Sequence, residues 1–306
     1  MVTVTRVNRI EVAWESFGDA SDEAILLISG LGTQMIRWTT PFCELLAARG
    51  YRVVRFDNRD TGGSTHFSAS PAPDFAALTA ALTAGRRPET PYTLGDMAAD
   101  AIGLLDALGI AQAHVAGRSM GGMIAQVLAY DHRDRVLSLT SIMSSAGNPG
   151  SPQASPDVMA LMTRPAPDPA VDPEGFLAAR LAFARRIAGT GYRFDEGAHR
   201  ALLREEARRG HDPGGAARQL AAMAAAGDRR GRLATITAPT LVIHGRCDPL
   251  IPFACGQDTA AAVPGATFMP IEGMGHDLPA ELEETVAEAI CGVARSGRPP
   301  VAGKPR

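Results

Sequence analysis

Residues 113–123, AHVAGRSMGGM, have the pattern of a short buried strand, a sharp turn and the first turn of a helix. Ser119 lies at the tip of that turn, between Gly117 and Gly121. In a Gly-x-Ser-x-Gly turn the serine backbone is strained, and its hydroxyl is lifted above the sheet beside the N-terminus of the following helix. The flanking glycines lack a Cβ, so strand and helix can approach closely. The pattern indicates a nucleophilic serine, with an ordinary strand-to-helix turn as the alternative.

The composition indicates a globular protein. The chain has 306 residues, 45% of them hydrophobic, which suits one large domain with an insertion. The net charge of −3 argues against a nucleic-acid partner, because such partners favour a strongly basic face. The chain shows no signal-peptide pattern and no apolar run near about 18 residues, so we expect a cytoplasmic protein without membrane contact. The four cysteines show neither metal-ligand spacing nor a disulfide framework.

Alternating strand and helix patterns predict a largely parallel sheet. Residues 2–7 and 10–15 alternate apolar and polar positions, as an antiparallel pair at a sheet edge does. Strand patterns then alternate with helical ones as far as residues 136–143, and they resume at residues 240–244 and 267–271. Such alternation favours parallel strands with helices on both faces of the sheet. We therefore predict an α/β fold.

Residues 144–232 interrupt this alternation. They contain Pro-rich connections and helical patterns but no strand pattern, and they follow the sixth predicted strand. That strand ends at the same carboxyl edge of the sheet as the strand before Ser119, so we predict a helical cap over the serine. The core then consists of residues 1–143 and 233–294. Residues 295–306 lack apolar periodicity and are predicted to be disordered.

Two side chains further along the chain complete the chemistry that Ser119 requires. A serine hydroxyl becomes a good nucleophile when an imidazole accepts its proton and a carboxylate orients that imidazole. Asp248 and His276 each follow a predicted strand, and they occur in the order serine, acid, histidine. The backbone N–H groups of Met120 and Leu31 are predicted to form the oxyanion hole. This chemistry needs no metal ion and no organic cofactor.

Four motifs together resemble those of the α/β-hydrolase superfamily, namely GRSMGG (117–122), DNRDTGGS (57–64), HGRCDP (244–249) and GMGH (273–276). Within it, PYTLGDMAAD (91–100) and RFDNRDTG (55–62) are similar to bacterial carboxylesterases of the aclacinomycin methylesterase kind. The resemblance covers residues 1 to about 294 and implies a mostly parallel sheet flanked by helices. Two departures concern the site. Ser29-Gly30 stands where His-Gly is usual, and Arg118 replaces a small or neutral residue.

The combined pattern predicts a serine hydrolase that cleaves a carboxylic ester through an acyl-enzyme. The expected partner is a small-molecule ester, and the sequence is compatible with a homo-oligomer. Ser119 argues against haloalkane dehalogenation and epoxide hydrolysis, which use an Asp nucleophile on this fold. Two alternatives are a carbon-carbon bond hydrolase with the same triad and a ligand-binding receptor-like protein with little turnover.

Several side chains have both a structural and a functional interpretation. Met159, Met162 and Phe183 in the insertion are candidates for binding substrate, and helical spacing does not separate this role from core packing. Arg118 is predicted to pair with a nearby acid, such as one in the loop at residues 57–60, rather than with substrate.

Four residues near the site are predicted to be structural. Asp57 and Asp60 are expected to organise their own loop together with Arg59 rather than to serve as the triad acid. His244, at the end of a strand, is interpreted as a core histidine. Cys247 is interpreted as a buried thiol behind the loop of the acid.

Overall fold

The computed structural model describes residues 1–71 and 73–296. Their strands are β1 (Thr3–Val7), β2 (Ile10–Phe17), β3 (Glu23–Ile28), β4 (Tyr51–Phe56), β5 (Ala113–Arg118), β6 (Val136–Ile142), β7 (Thr240–Gly245) and β8 (Thr267–Ile271). Their α-helices are α1 (Thr40–Ala47), α2 (Phe75–Thr83), α3 (Leu94–Ala107), α4 (Met120–Asp131), α5 (Pro156–Thr163), α6 (Pro173–Ile187), α7 (Glu196–Arg209), α8 (Gly215–Ala226), α9 (Arg230–Leu233), α10 (Phe253–Ala262) and α11 (Glu283–Ser296). Short 3-10 helices lie at Met35–Arg37, Arg133–Arg135 and Ala280–Leu282.

The eight strands form one sheet in the order β1-β2-β4-β3-β5-β6-β7-β8. β2 pairs antiparallel with β1 and with β4, and all the remaining pairs are parallel. The predicted fold class, a mostly parallel sheet flanked by helices, is confirmed. After β3 the chain adds β4 on one side and β5 on the other, and this reversal is where ligands bind in open α/β sheets.

The apolar run of β3 explains how helices come to cover both faces of the sheet. Leu26 and Ile28 belong to the core cluster that contains the buried side chains of α3 and α4. Ile25 and Leu27 point the other way and join a cluster with α1 and α11. Burial of one such side chain contributes about 1.5–3 kcal/mol. The strands that carry the site residues are therefore held from both sides.

Local signals in the sequence set the ends of α3. Thr93 and Asp96 form a capping box, in which each side chain accepts a hydrogen bond from the backbone N–H of the other residue. At the other end, Gly109 adopts a φ of 67°, a left-handed conformation that stops the helix at little steric cost. This helix packs against α4, which follows Ser119.

Between β6 and β7 the described chain forms helices α5 to α9. Helical patterns near residues 173–188, 196–209 and 214–226 predict α6, α7 and α8, and the structure adds α5 and the single turn of α9. Phe176, Leu177 and Leu181 of α6 pack with Leu203 of α7 in a small cluster of their own. In contrast, Ala222 of α8 belongs to the main core. The inserted helices are thus partly a separate layer and partly an extension of the core.

The first two residues of the segment predicted to be disordered, residues 295–306, are helical in the structure. Helix α11 includes residues 295 and 296 and thus ends two residues beyond the predicted end at residue 294. The rest of the predicted tail, residues 297–306, lies outside the described residues. Of the helices in the described ranges, none is both long and apolar enough to cross a membrane.

Candidate active site

Ser119 occupies a strained position between β5 and α4. Its φ is 55° and its ψ is −121°, a conformation that costs a non-glycine residue about 1–3 kcal/mol. A Cβ on Gly117 would lie 2.1 Å from the carbonyl oxygen of Gly121. A Cβ on Gly121 would lie 2.2 Å from the carbonyl oxygen of Ile28. Both glycines are therefore required by the close approach of strand, turn and helix.

Neighbouring backbone groups hold this turn in place. The N–H of Ser119 donates to the carbonyl of Ile142 at the end of β6, at 2.9 Å. The hydroxyl of Ser144 donates to the carbonyl of Ser119 at 2.8 Å. Since both partners belong to the next strand and the loop after it, the serine is fixed by the sheet itself.

The imidazole of His276 lies between the Ser119 hydroxyl and the Asp248 carboxylate. Nε2 of His276 is 3.0 Å from Oγ of Ser119. Nδ1 of His276 is 2.7 Å from Oδ2 of Asp248. When Nδ1–H donates to the carboxylate, the lone pair of Nε2 faces the serine hydroxyl and can accept its proton. The structure thus brings the three predicted catalytic side chains into one hydrogen-bonded chain.

Asp248 lies in a tight turn after β7, next to two histidines that favour its ionised form. Its Oδ1 accepts the backbone N–H groups of Leu250 and Ile251, both at 2.9 Å. Burial tends to raise the pKa of Asp248, but the contacts with His276 and His244 outweigh burial and lower it to about 2. A permanently charged carboxylate is what an imidazole needs as it becomes an imidazolium.

The loop that carries His276 is built against the end of helix α6. The N–H of His276 donates to the carbonyl of Ile187 at 2.8 Å, and the N–H of Gly191 donates to the carbonyl of Gly273 at 3.0 Å. A Cβ on Gly275 would lie 2.3 Å from the backbone nitrogen of Gly189. The inserted helices therefore contact the histidine loop directly, and they help to set the position of its imidazole.

The two residues predicted to form the oxyanion hole belong to segments that adjoin Ser119. Met120 is the first residue of α4, so its N–H belongs to the unpaired N-terminal group of donors. Leu31 follows Gly30, where a Cβ would lie 3.2 Å from the Cβ of Ser119. The loop after β3 thus lies directly against the serine.

A cavity of about 490 Å³ opens beside Ser119 and His276. The inserted helices supply part of its wall, including Met159, Met162 and Phe183, the three predicted substrate-binding residues. Cavities of 300–1,000 Å³ with mainly apolar walls are the usual binding sites for small organic molecules. The space next to the serine is therefore large enough for a bulky substrate.

Part of the cavity wall is charged. Arg37 donates to both carboxylate oxygens of Glu206 on α7, at 2.7 and 2.8 Å. His199 of α7 contacts Asp277 at 3.1 Å, and this contact raises the pKa of His199 although burial opposes it. Arg118 lies 3.6 Å from Asp277 and donates to the backbone carbonyl of Arg37 at 2.8 Å. These pairs join the inserted helices to the core close to the serine.

Arg118 pairs with a nearby acid, as predicted, but that acid is not in the loop at residues 57–60, which the prediction gave as an example. Its acid partner is Asp277, directly after His276, and its guanidinium lies 5.3 Å from the centre of the Trp38 ring. The acids of the loop are instead engaged by arginines from other elements.

Asp57 and Asp60 bind their own loop, but their arginine partners are not the predicted one. Asp57 accepts from Arg209 of α7 at 2.6 Å, and Asp60 accepts from Arg218 of α8 at 2.8 Å through each oxygen. Arg59 turns the other way and binds Asp100. The sequence did not reveal these partners because they lie more than 140 residues away, in the insertion.

Two residues near Asp248 have different environments. His244 is fully buried, and its Nε2 contacts the carbonyl of Ile251 at 2.8 Å. Cys247 is exposed rather than buried, because its side chain lies on the outer side of the turn beside Thr190. The prediction of a buried thiol at this position is wrong.

Asp60, His66 and Asp212 form a group that could offer ligands to a cation. The guanidinium of Arg218 lies within 2.8 Å of Asp60 and 2.6 Å of Asp212. A positive charge of the protein therefore already occupies the place between the two carboxylates.

Sequence reasoning missed Arg37, Glu206, Asp277 and Arg180 as parts of the cavity wall. Asp277 had a usable signal, since it follows His276 directly. Arg37, Glu206 and Arg180 are ordinary charged residues without a local signal, and only the packing of the insertion on the core brings them together at the cavity.

Comparisons with known proteins identify the family of the chain. The family model described as alpha/beta hydrolase fold matches residues 23–281. The chain belongs to the α/β-hydrolase family. It is 34% identical to rhodomycin D methylesterase DauP of Streptomyces sp. strain C5, covering 92% of this chain and 94% of that protein. It is 33% identical to rhodomycin D methylesterase DnrP of Streptomyces peucetius, with the same coverage.

Solved structures share the fold of this α/β-hydrolase family member. The enol-lactonase from Burkholderia xenovorans LB400 superposes with a TM-score of 0.72 at 24% identity, over 96% of this chain and 100% of that chain. At this identity the likeness concerns the fold alone.

Proposed function

We propose that this α/β-hydrolase is a carboxylic ester hydrolase in which Ser119 is the nucleophile, His276 the general base and Asp248 the residue that orients the base. The proposal rests on one observation, the hydrogen-bonded chain of these three side chains next to a large cavity. The similarity to two methylesterases over nine tenths of the chain supports ester cleavage as the reaction.

The reaction would proceed in two halves. The Ser119 oxygen attacks the ester carbonyl carbon while its proton moves to Nε2 of His276, and the N–H groups of Met120 and Leu31 stabilise the oxyanion. The imidazolium then gives the proton to the departing alcohol, which leaves an acyl group on the serine. A water molecule then attacks the acyl carbon while its proton moves to Nε2 of His276, and the imidazolium returns this proton to the Ser119 oxygen as the bond to the acyl group breaks and the acid leaves.

We further propose that residues 144–232 act as a cap on a core of residues 1–143 and 233–294. The support is that this segment holds three apolar side chains of the cavity wall and bonds to the histidine loop at Ile187. A cap shields the acyl-enzyme from bulk water and selects the acyl group. The cavity volume suits esters of bulky apolar acids. The names of the two relatives suggest that the alcohol part of the ester is methanol.

Kinetics on a series of methyl esters with acyl groups of increasing size would test this proposal. The wild-type protein is expected to release methanol and acid, with kcat/KM rising toward bulky apolar acyl groups. Ser119→Ala should lower kcat by about 10⁴-fold or more, as in other triads. Ser21→Ala, at an exposed serine, is the matched control and should change nothing.

The same experiment would distinguish the alternatives. Cleavage of a vinylogous diketone but of no ester would favour carbon-carbon bond hydrolysis. Saturable binding of the esters without any product would favour a receptor-like role.

A further inference from the structure

Arg180 is a charged residue of the cavity wall without a role in the reaction described above. It lies at the middle of α6, and it lines the main cavity together with Phe176 and His211. Its guanidinium carbon is 5.5 Å from the centre of the Phe176 ring. The ring of Phe176 is in turn 5.3 Å from that of His211. The guanidinium thus rests on an aromatic part of the wall.

Within residues 1–71 and 73–296, no carboxylate forms an ion pair with Arg180 and no hydrogen bond is made by its side chain. Burial lowers the pKa of Arg180, and the charges of Glu206 and Arg37 also act on it, in opposite directions. The side chain is half-buried, and none of its nitrogens is both buried and without a hydrogen-bond partner, so its N–H donors are open to water or to a ligand in the cavity. Here these donors have no protein acceptor.

The acids of the cavity wall are already engaged elsewhere. Glu206 accepts from Nε and Nη2 of Arg37, at 2.7 and 2.8 Å. Asp277 contacts His199 and Arg118. The two remaining acids of the wall, Asp60 and Asp212, share the guanidinium of Arg218. None of the four acids of the wall is therefore paired with Arg180, and its charge stays available to an anionic group in the cavity.

We propose that Arg180 determines substrate specificity by binding a carboxylate at the end of the substrate remote from the ester. A carboxylate fits best because it is planar, ionised at neutral pH and able to accept two parallel N–H bonds from one guanidinium. The apolar wall formed by Met162, Phe183 and Leu203 would hold the body of such a substrate. The substrate class is thus the monoester of a bulky apolar dicarboxylic acid.

This inference rests on the proposed ester hydrolysis for its substrate but not for its binding test. Two sets of methyl monoesters would be compared, one ending in a carboxylate and the other in a primary amide of the same length. Affinity would be measured by calorimetry with Ser119→Ala, in which no turnover occurs. Turnover would be measured with the wild-type catalytic residues. The readout in both cases is the carboxylate-to-amide ratio.

The protein with Arg180 intact should prefer the carboxylate about 10- to 100-fold, the usual effect of a charge-assisted hydrogen bond in a partly dry site. Arg180→Met should abolish the preference while leaving the amide ester within about threefold. Arg180→Lys should keep part of it, because the charge remains and the planar fork is lost. Arg185→Met, at an exposed arginine of the same helix away from the cavity, should keep the full ratio.

Two results would overturn the inference. One is an equal affinity for carboxylate and amide with Arg180 intact, and the other is a ratio that survives Arg180→Met. If the carboxylate preference is found in the calorimetry but no ester is cleaved, the ester hydrolysis is wrong and the role of Arg180 stands. If esters are cleaved without any preference for the carboxylate, the role of Arg180 is wrong and the ester hydrolysis stands.

Discussion

Arg218→Met would test how strongly the inserted helices are held to the core. The Arg218 side chain is 3% exposed and that of Asp60 is fully buried. Arg218 makes two hydrogen bonds of 2.8 Å to Asp60 and one of 2.6 Å to Asp212. The substitution leaves a buried carboxylate without its counter-charge, a change that costs about 3–5 kcal/mol.

We expect the lower end of that range. Asp60 keeps the N–H of Phe67 at 2.6 Å and the hydroxyl of Tyr92 at 2.5 Å as donors. A loss of about 3 kcal/mol corresponds to a melting temperature lower by about 6–12 °C for a large domain. Thermal unfolding followed by circular dichroism would measure it. Asp60→Asn in the Arg218→Met background should cost less than Asp60→Asn alone, because the neutral amide needs no counter-charge.

The matched control is Arg204→Met. Arg204 is an exposed arginine of α7 that pairs with exposed Glu174 at 3.2 Å, and such surface pairs contribute little. A shift of less than about 2 °C for Arg218→Met, or strictly additive losses in the double variant, would refute the argument about buried charge.

Three further predictions concern the turn, the ion pair and the cavity. Gly121→Ala should abolish esterase activity, because its Cβ would lie 2.2 Å from a backbone oxygen. The control Gly292→Ala has open space in a helix and should be neutral or stabilising by up to about 1 kcal/mol. Hydrolysis rates and melting temperatures of the two purified variants check both expectations. Burial lowers the pKa of His199, but Asp277 raises it above 6.5 overall, so the pair stabilises the fold below pH 6.5 and this contribution is lost as the pH rises through the raised pKa. His199→Gln should therefore lower the melting temperature at acidic pH and scarcely at alkaline pH, and a pH-independent difference would contradict the assignment. Phe183→Ala should change kcat/KM for large and small acyl groups by different factors, roughly 10- to 200-fold apart, and equal losses on every ester would show a purely structural role.

The sheet and the three catalytic candidates could be predicted because each is marked by a pattern of neighbouring residues in the sequence. β3 is a continuous apolar run, which is how a strand buried on both faces appears in a sequence. Gly117 and Gly121 mark the turn at Ser119, where the structure leaves no room for a Cβ. Strand-end placement and chain order then select Asp248 and His276 among the acids and histidines.

Contacts between the insertion and the core could not be predicted, because they depend on how helices pack over the sheet. The pairing of Arg218 with Asp60 joins residues 158 positions apart. Nothing in the local pattern of either residue distinguishes a buried ion pair from a solvated charge. Arg180 illustrates the same limit, since its lack of an acid partner is visible only once α6 and α7 are in place.

The exposure of Cys247 shows a different cause of error. Cys247 is exposed although its neighbour Asp248 is buried. Consecutive residues of a tight turn can thus point inward or outward, and no regular period predicts which. Burial in turns therefore follows from the turn geometry and not from the type of side chain.

The central claim is that Ser119 is made nucleophilic by His276. It is tested most directly by labelling with a fluorophosphonate, followed by mass spectrometry of the modified peptide. We expect one adduct, on Ser119, formed about 10²- to 10⁴-fold more slowly in His276→Ala and at the normal rate in the control His132→Gln. An adduct on another residue, or labelling of His276→Ala at the wild-type rate, would contradict the claim.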